Sequence, residues 1–221
     1  VRSLIIDKLP NVKNKIFMLE SSIDGNQLKI KKKNKALMTK YNLSENNPII
    51  MSLARLSTSE DKGQNRVLKA LPKVLKKYPN LKYMIVGSGS DDRVDKILKK
   101  NPILAKNVIK TGEFKNIERV DYLNIADLYI LPSKLDGFLI TFIEALACGI
   151  PVIASNKYGC PNGLLNGKLG FSVDPDDSDL ISKTIISFFD NKASKNFYDR
   201  KFLRRETLAI YGLPLWNKKV N

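Results

Sequence analysis

The sequence predicts an α/β protein built as a Rossmann-like, doubly wound parallel sheet. Short apolar runs, of which Ile49–Leu53 is the first clear example, alternate along the chain with amphipathic stretches of helical period. Hydrophobic residues make up 43% of the 221 positions, which is enough to fill a core, and the length suits one domain with an incomplete second. Because strands alternating with helices form parallel sheets through right-handed crossovers, ligands are expected at the carboxyl ends of the strands.

The central elements follow this alternation in order. After the strand at Ile49–Leu53, apolar residues at helical spacing predict a helix over Gln64–Tyr78, although Pro72 argues against one straight helix. The other predicted strands are Tyr83–Val86, Val108–Lys110, Leu128–Leu131 and Val152–Ala154, and the other predicted helices are Asp91–Lys100, Ile117–Ile125, Ile140–Ala147 and Ser178–Phe189.

Two flanks do not fit the alternation and divide the chain into three parts. Residues 1–46 are lysine-rich, with a strand predicted at Lys15–Leu19 and a helix at Gln27–Tyr41. Residues 47–193 form the predicted Rossmann-like domain, and residues 194–221 are predicted to be a terminal helix and a short tail that pack across another part of the protein. The chain does not begin with Met, so we expect a piece of something longer.

Composition excludes several classes of protein. The chain has 38 Lys and Arg against 22 Asp and Glu, a net charge of +16, and it has no His, so neither a Ser-His-Asp nor a Cys-His triad can exist within it. Two cysteines, Cys148 and Cys160, cannot build a four-thiolate zinc site and fit a reducing compartment. The sequence shows no secretory signal, and no apolar run approaches the roughly 20 residues that span a bilayer, so we expect a cytoplasmic location.

The positive charge is densest in the lysine cluster, which we define as Lys29–Lys35. Such a cluster could attract phosphorylated ligands, a membrane surface or nucleic acid, or it could simply be a solvated helix face. The sequence has neither RNP-type aromatic residues nor zinc knuckles, which argues against a dedicated nucleic-acid module.

Polar loops follow the first three predicted strands. Arg55 and Lys62 flank a loop that opens a helix, and two cations beside free helix-end N–H groups make an anion site, although incidental surface charges are an alternative. Gly87 and Gly89 follow the second strand and would allow close approach of a ligand or simply a tight turn. Gly112 follows the third strand and is a weaker signal.

The loop after Leu128–Leu131 is the most informative. Asp136 lies in this loop and Glu144 lies eight positions later, in the following helix. Between them, Gly137–Ile140 would present backbone N–H groups at a helix N-terminus, where a phosphate is favoured. A carboxylate within that helix could accept hydrogen bonds from vicinal hydroxyls such as those of ribose, although a surface acid and a helix-stabilising Glu are the alternative.

These ordered motifs resemble those of the group 1 family of retaining glycosyltransferases, which have the two-domain GT-B architecture. The spacing of Asp136 and Glu144 resembles the family's E-x7-E signature, and the resemblance spans about Ile49–Asp190. The segments that match in order are Ala-Arg-Leu and Lys-Gly within 54–63, Tyr-Pro at 78–79, Val-Gly-Ser-Gly at 86–89, Thr-Gly at 111–112, Leu-Pro-Ser at 131–133, Glu-Ala-Leu-Ala-Cys-Gly-Ile-Pro-Val at 144–152 and Asp-Pro-Asp-Asp at 174–177.

The resemblance implies a role for each candidate residue. Arg55 and Lys62 would neutralise the donor diphosphate, which gains charge as it leaves, and Glu144 would hold the ribose hydroxyls. Asp136 would lie beside the donor sugar, so the implied catalytic set is Asp136, Arg55 and Lys62. Further donor-binding residues are implied at the helix N-terminus and in the nucleoside-lining loops: Phe138, Leu139, Ile140, Gly87, Gly89 and Gly112. The family works without a metal, so no metal or other cofactor is expected, and the nucleotide sugar is a substrate.

The sequence also departs from the family pattern. Asp136 is one methylene shorter than the usual Glu, and Leu139 stands where a second Gly is usual. Residues 1–46 resemble only the end of an N-terminal acceptor domain and the interdomain connector, so the chain looks like the donor-binding half of a hexosyltransferase, inactive alone. The expected partners are a nucleotide sugar, an acceptor domain or subunit and an anionic membrane surface, with no specific nucleic acid. The alternatives are a non-catalytic nucleotide-sugar-binding module and a basic protein that binds membrane or nucleic-acid surfaces.

Overall fold

The computed structural model describes residues 8–9, 21–58, 62–134, 140–157, 160–193 and 195–215. The strand predicted at Lys15–Leu19 lies outside these residues. The strands are β1 (Ile49–Leu53), β2 (Leu56–Ser57), β3 (Lys82–Val86), β4 (Gly89–Ser90), β5 (Val108–Gly112), β6 (Leu128–Leu131), β7 (Val152–Ser155) and β8 (Gly170–Val173). The helices are α1 (Lys35–Lys40), α2 (Gln64–Lys77), α3 (Asp92–Lys100), α4 (Pro102–Asn107), α5 (Arg119–Ile125), α6 (Ile140–Ala147), α7 (Cys160–Gly163), α8 (Ser178–Phe189) and α9 (Arg200–Tyr211), with 3₁₀ turns at Asn116–Glu118 and Lys195–Phe197.

Six of the strands form one parallel sheet in the order β5-β3-β1-β6-β7-β8. Counted along the sheet strands alone, this is the order 3-2-1-4-5-6 of a Rossmann fold, so the predicted fold class is confirmed. The chain reverses its direction of winding between β1 and β6, which pair through Ile50 with Leu128 and Met51 with Tyr129. Ligands of such sheets bind outside the carboxyl ends of the strands at this switch point, and we call that side of the sheet the carboxyl edge.

The sheet is covered by helices on both faces, because its central strands are apolar on both sides. In β1, Ile49, Met51 and Leu53 belong to the apolar layer that contains α5 and α6. Ile50 points into the opposite layer, which contains α2 and α8. All five residues of β1 are buried, as expected for a central strand of a parallel sheet.

Every helix and strand that the alternation predicted in residues 47–193 is confirmed to within a few residues. Helix α2 continues through Pro72, since its apolar face is buried between the sheet and α8. The alternation did not reveal the short helices α4 and α7, the two-residue strands β2 and β4, or the edge strand β8. A signal for α4 was present, because Asn101 caps it by accepting a 3.2 Å hydrogen bond from the Leu104 N–H and Pro102 occupies its first turn.

The helix predicted at Gln27–Tyr41 is wrong over most of its length. Only Lys35–Lys40 is helical, and residues 29–34 are an extended segment that we call the strap. The Asn124 side chain of α5 holds the strap by accepting from the Lys31 N–H at 2.7 Å and donating to the Lys29 carbonyl at 3.0 Å. Closely spaced lysines repel one another in a helix, whereas the extended backbone gains these partners. The reading of the lysine cluster as a solvated helix face is therefore also wrong.

The strap forms two ion pairs, one with α5 and one with the loop that follows it. Lys31 Nζ is 2.9 Å from Asp121, and Lys33 Nζ is 2.7 Å from Asp127. Two of the lysines that made the cluster look like an anion-binding surface therefore already have carboxylate partners.

Residues 21–28, which we call the connector, pack against the terminal helix. Ile23 forms a parallel bridge with Gly212, donating to the Tyr211 carbonyl at 2.8 Å and accepting from the Leu213 N–H at 3.1 Å. Arg204 of α9 donates to the Gly25 carbonyl at 2.7 Å and to the Ala147 carbonyl at 2.7 Å. The predicted terminal helix is confirmed, and it packs across both the connector and α6.

Both cysteines are buried and unbridged, so no disulfide joins them. Burial raises the pKa of the Cys148 thiol to about 12, which keeps it protonated at neutral pH. Among the described residues, no helix combines the length and the apolar character that crossing a membrane requires.

Candidate functional site

The loops after β1 and β6 meet at the switch point. Gly63, which begins α2, has a φ of +93°, and a Cβ atom there would lie only 2.3 Å from the Pro132 carbonyl oxygen. This contact requires a residue without a side chain, so glycine explains how the start of α2 can lie against the end of β6.

The two predicted phosphate-binding cations lie on this carboxyl edge. Arg55 is exposed in the short turn between β1 and β2, and Lys62 is half-buried immediately before α2. The Arg55 carbonyl accepts a hydrogen bond from Gln64 Nε2 at 3.5 Å, which links the turn to the first turn of α2. The structure therefore places both cations beside the start of the same helix, and their role in binding diphosphate stays a prediction.

The glycines of the second and third loops have structural reasons for their positions. Strands β2 and β4 pair in parallel, Leu56 with Gly89, and a Cβ atom at Gly89 would lie 2.1 Å from the Leu56 carbonyl oxygen. The Gly87 N–H donates to the Gly112 carbonyl at 3.3 Å, which joins the ends of β3 and β5. These glycines allow the loops of the carboxyl edge to pack against one another, and their contact with a donor stays a prediction.

Helix α6 begins beside the switch point and carries Ile140 and Glu144. Ile140 is 43% exposed at its start. The Tyr129 hydroxyl of β6 lies 2.7 Å from the Thr141 hydroxyl and donates to the Leu53 carbonyl at 3.3 Å. This buried Tyr fixes the first turn of α6 against β1 and β6. The predicted residues Asp136, Phe138 and Leu139 lie outside the described residues.

Glu144 forms an ion pair that the sequence analysis did not predict. Arg119 Nη1 donates to Glu144 Oε1 at 2.6 Å, and the two side chains are 33% and 9% exposed. Within the described residues, the pair is only half satisfied, because Glu144 Oε2 and Arg119 Nε are both buried without a hydrogen-bond partner. A buried carboxylate oxygen without a partner is costly, so this pair is the strongest candidate for a ligand contact in the described site.

Arg119 and Glu144 line a cleft of about 180 Å³ at the carboxyl edge. This volume is below the roughly 300–1,000 Å³ of ligand pockets, so the cleft by itself is too small to enclose a drug-sized ligand. Its lining residues come from the connector, from the β5–α5 segment and from α6: Ser22, Ile23, Asp24, Gln27, Leu28, Asn116, Arg119, Val120, Ile140 and Glu144. Of the predicted site residues that the structure describes, Ile140 and Glu144 line it and the others do not.

The connector wall of this cleft is internally braced. Asp24 accepts from the Asn26 N–H at 2.8 Å and from Gln27 Nε2 at 2.9 Å. With Asp24 and Glu144 acidic and Arg119 basic, the charged lining is net negative. A net-negative lining is unfavourable for a phosphate in this cleft.

A second charged cluster lies farther along the carboxyl edge. Lys134 Nζ is 2.8 Å from Asp176, and Arg66 Nε is 3.5 Å from the same carboxylate. The hydrogen bond from Lys134, helped by the charge of Arg66, lowers the pKa of Asp176 below its usual range. Neither Lys134 nor Arg66 was among the residues predicted for the site.

Comparisons with known proteins agree with the fold and the motifs. A family model described as "Glycosyl transferases group 1" matches residues 33–202. A GDP-mannose-dependent monoacylated alpha-(1-6)-phosphatidylinositol monomannoside mannosyltransferase from Corynebacterium glutamicum is 29% identical over 163 residues, which cover 71% of this chain and 42% of that protein. The chain thus spans less than half of that relative's length.

Solved structures share the fold at low sequence identity. The Anabaena HepE protein, solved in complex with UDP and glucose, has a TM-score of 0.80 and 20% identity, over 94% of this chain and 56% of that one. The C-terminal domain of LpcC, a glycosyl transferase group 1 family protein from Francisella tularensis, has a TM-score of 0.71 and 20% identity, over 86% of this chain and 99% of that one. Since the family model covers well over half of the residues, and the motifs lie on the strands and loops that the fold requires, this chain belongs to the group 1 family of glycosyl transferases.

Proposed function

We propose that this chain is the donor-binding domain of a glycosyltransferase that transfers a hexosyl group from a nucleotide sugar with retention of configuration. The observation that carries the proposal is the environment of Glu144, a buried carboxylate that lines a cleft at the carboxyl edge. One of its oxygens accepts a hydrogen bond from Arg119, and the other has no partner among the described residues. Such a carboxylate suits the vicinal hydroxyls of ribose. Relatives named as GDP-mannose-dependent enzymes and a structural neighbour solved with UDP support a nucleotide sugar as the ligand.

We propose that the donor spans two parts of the carboxyl edge. The ribose lies in the net-negative cleft beside Glu144, and the diphosphate lies toward the switch point, beside Arg55 and Lys62. Stabilisation of the leaving diphosphate by preorganised cations would account for most of this domain's contribution to the transition state. Asp136 is proposed to lie beside the donor sugar. The reaction is proposed to need no metal or other cofactor.

Transfer also needs an acceptor. We propose that the acceptor is bound by a further domain or subunit, that the complete enzyme works on the cytoplasmic face of a membrane, and that its product is a surface polysaccharide or glycolipid. The chain alone should bind the donor and show little acceptor-dependent release of nucleoside diphosphate. Efficient turnover by the purified chain would contradict the assignment of donor binding and acceptor binding to separate domains or subunits.

The test of donor binding is calorimetry with a panel of UDP, GDP, ADP and inorganic pyrophosphate. We expect at least one nucleoside diphosphate to bind, and we expect Glu144→Gln to weaken it about 10-fold or more while changing pyrophosphate binding far less. The reason is that the substitution removes an ionised acceptor from the ribose hydroxyls and leaves the cations in place.

Two results would count against the proposal. If none of the three nucleotides binds, the proposal that the chain binds a nucleotide-sugar donor is wrong. Equal losses for nucleotide and pyrophosphate would show that Glu144 acts on the fold or the phosphates and does not recognise ribose.

A further inference from the structure

We infer that Arg119 is a positioning residue that orients the Glu144 carboxylate toward a ligand hydroxyl, and that it makes the site selective for a ribose that carries this hydroxyl. The inference rests on the proposed function and adds a residue that neither the motif pattern nor the predicted site contained. Its basis is the 2.6 Å bond from Arg119 Nη1 to Glu144 Oε1.

The geometry of the pair argues for positioning. An Arg–carboxylate pair can form two parallel hydrogen bonds, but here only one is formed, and Arg119 Nε and Glu144 Oε2 are both buried without a partner among the described residues. One bond is enough to fix Oε1 and hence the plane of the carboxylate. The second oxygen is left available to an external group.

The two unsatisfied atoms also define the chemistry of that group. Oε2 needs a donor and Nε needs an acceptor, and a hydroxyl supplies both. A phosphate offers no hydrogen to the carboxylate at neutral pH, and an ammonium group offers no lone pair to the guanidinium. A neutral hydroxyl also suits an ion pair whose charges cancel. Side chains around the pair must move slightly to admit the ligand, since both atoms are buried in the free protein.

The fold explains how these two residues meet. Arg119 is the first residue of α5, directly after the 3₁₀ turn that follows β5, and Glu144 lies in the second turn of α6. Both helices cover the same face of the sheet, and both start at its carboxyl edge. The pairing therefore depends on how the two helices are arranged, because the two residues are 25 positions apart in the sequence.

The experiment measures hydroxyl selectivity. The nucleoside diphosphate that binds best in the panel is compared by calorimetry with its 2′-deoxy and 3′-deoxy analogues and with inorganic pyrophosphate. The variants are Arg119→Met, Arg119→Lys, Glu144→Gln and the double variant Arg119→Met with Glu144→Gln.

A matched control is Lys33→Met. It removes one positive charge from a partly buried ion pair of similar length, 2.7 Å, with Asp127. Asp127 precedes β6 and so lies at the opposite edge of the sheet from the cleft. Thermal unfolding of every variant without ligand verifies that it is folded at the temperature of the binding measurement.

We expect the wild-type chain to bind the ribonucleotide at least 10-fold more tightly than one of the two deoxy analogues. Arg119→Met should reduce this ratio to less than 3-fold and change pyrophosphate affinity less than 3-fold, and Arg119→Lys should retain part of the selectivity. The double variant should lose no more selectivity than Glu144→Gln alone, because Arg119 acts through Glu144. Lys33→Met should keep the wild-type ratio.

Three results would overturn the inference. Wild-type selectivity in Arg119→Met would show that Glu144 is positioned without it. Equal losses for nucleotide and pyrophosphate in Arg119→Met would show that Arg119 contributes only charge or stability. Nucleotide binding with no discrimination between ribose and deoxyribose in the wild type would overturn the inference and the proposed contact of Glu144 with ribose, but would leave donor binding standing. No nucleotide binding at all would overturn the proposed function as well.

Discussion

Arg55 and Lys62 lie on either side of the segment that joins β1 to α2, and each is next to a close backbone contact of a glycine. Gly89 packs against the Leu56 carbonyl beside Arg55, and Gly63 packs against Pro132 beside Lys62. At this scale, the glycines allow the close backbone contacts beside each cation, and the binding of a diphosphate by the cations stays a prediction.

Replacing either cation should weaken nucleotide binding. We expect Arg55→Ala or Lys62→Ala to reduce affinity for the bound nucleoside diphosphate by about 5–150-fold, because a hydrogen bond to a charged group contributes roughly 1–3 kcal/mol. Calorimetry measures the change. Lys69→Ala is the matched control, since Lys69 is exposed in the middle of α2 and away from its start. Unchanged affinity in both site variants would remove these residues from the diphosphate site.

At the scale of elements, the start and the end of α2 are each fixed to another element. Its start contacts the end of β6 through Gly63. Beyond its end, Tyr78 donates to Asp190 at 2.5 Å, and Asp190 is the residue that follows α8. These two attachments connect the start of α2 to the end of β6 and the residue after α2 to the residue after α8.

The contact at Gly63 can be tested by adding a methyl group. Gly63→Ala should lower the free energy of unfolding by about 1–3 kcal/mol through backbone strain, plus the cost of moving the Pro132 carbonyl, and it should weaken nucleotide binding. Gly167→Ala is the control, because its φ of +95° is nearly the same but a Cβ atom there meets nothing within 4 Å. Urea unfolding of both variants measures the difference, and equal losses would show that the approach to Pro132 adds nothing to the strain.

The attachment at Asp190 should make stability depend on acid pH. Hydrogen bonds from Lys77 and Tyr78 lower the pKa of Asp190 to about 2, against roughly 4 in an unfolded chain. Its stabilising effect is therefore complete above about pH 5 and is lost as the pH falls from about 4 to 2. The difference in melting temperature between wild type and Asp190→Asn should be constant at pH 5–7 and shrink toward zero near pH 2. A difference that persists unchanged at pH 2 would show that packing, and not ionisation, stabilises this end of α2.

The whole molecule carries a net charge of +16, but only some of the lysines in the lysine cluster are without a carboxylate partner in an ion pair described above. Lys31 and Lys33 are paired with carboxylates of α5 and its neighbouring loop, whereas Lys29, Lys32 and Lys35 are exposed. We propose that affinity for an anionic membrane surface depends on these exposed lysines.

Sedimentation with lipid vesicles tests whether the exposed lysines of the lysine cluster bind an anionic membrane. Binding to anionic vesicles should disappear at 1 M salt, where the Debye length falls to about 3 Å from about 10 Å at 0.1 M, and neutral vesicles should bind nothing. Replacing Lys29, Lys32 and Lys35 by Gln should weaken binding strongly, at roughly 1 kcal/mol for each lysine near the surface. The control replaces Lys96, Lys99 and Lys100 of α3, which are also exposed. Binding that survives high salt, or equal losses in both triple variants, would contradict an electrostatic surface at the strap.

Local sequence patterns were sufficient to predict the fold class of residues 47–193. The apolar runs and helical periods of residues 47–193 depend on neighbours within about 15 positions, so they predicted most of the elements and, with the ordered motifs, the family. The same reasoning failed at residues 27–34, because the partner of the strap is Asn124, more than 90 positions away. Composition predicted a helix or a charged surface there, and packing against α5 produced an extended segment.

The candidate site also has some features that the sequence predicts and others that it does not. The sequence by itself determined the fold class, the family and the positions of Arg55, Lys62 and Glu144 at the ends of predicted strands or in the following helix, since these follow from order along the chain. Only the tertiary structure decided that Arg119 holds Glu144, that the connector forms one wall of the cleft, and that Gly63 and Gly89 pack against carbonyl groups. The physical reason is that an ion pair, a cleft and a close backbone contact each require two segments to meet in space, and the meeting point is set by the sheet order and not by either segment alone.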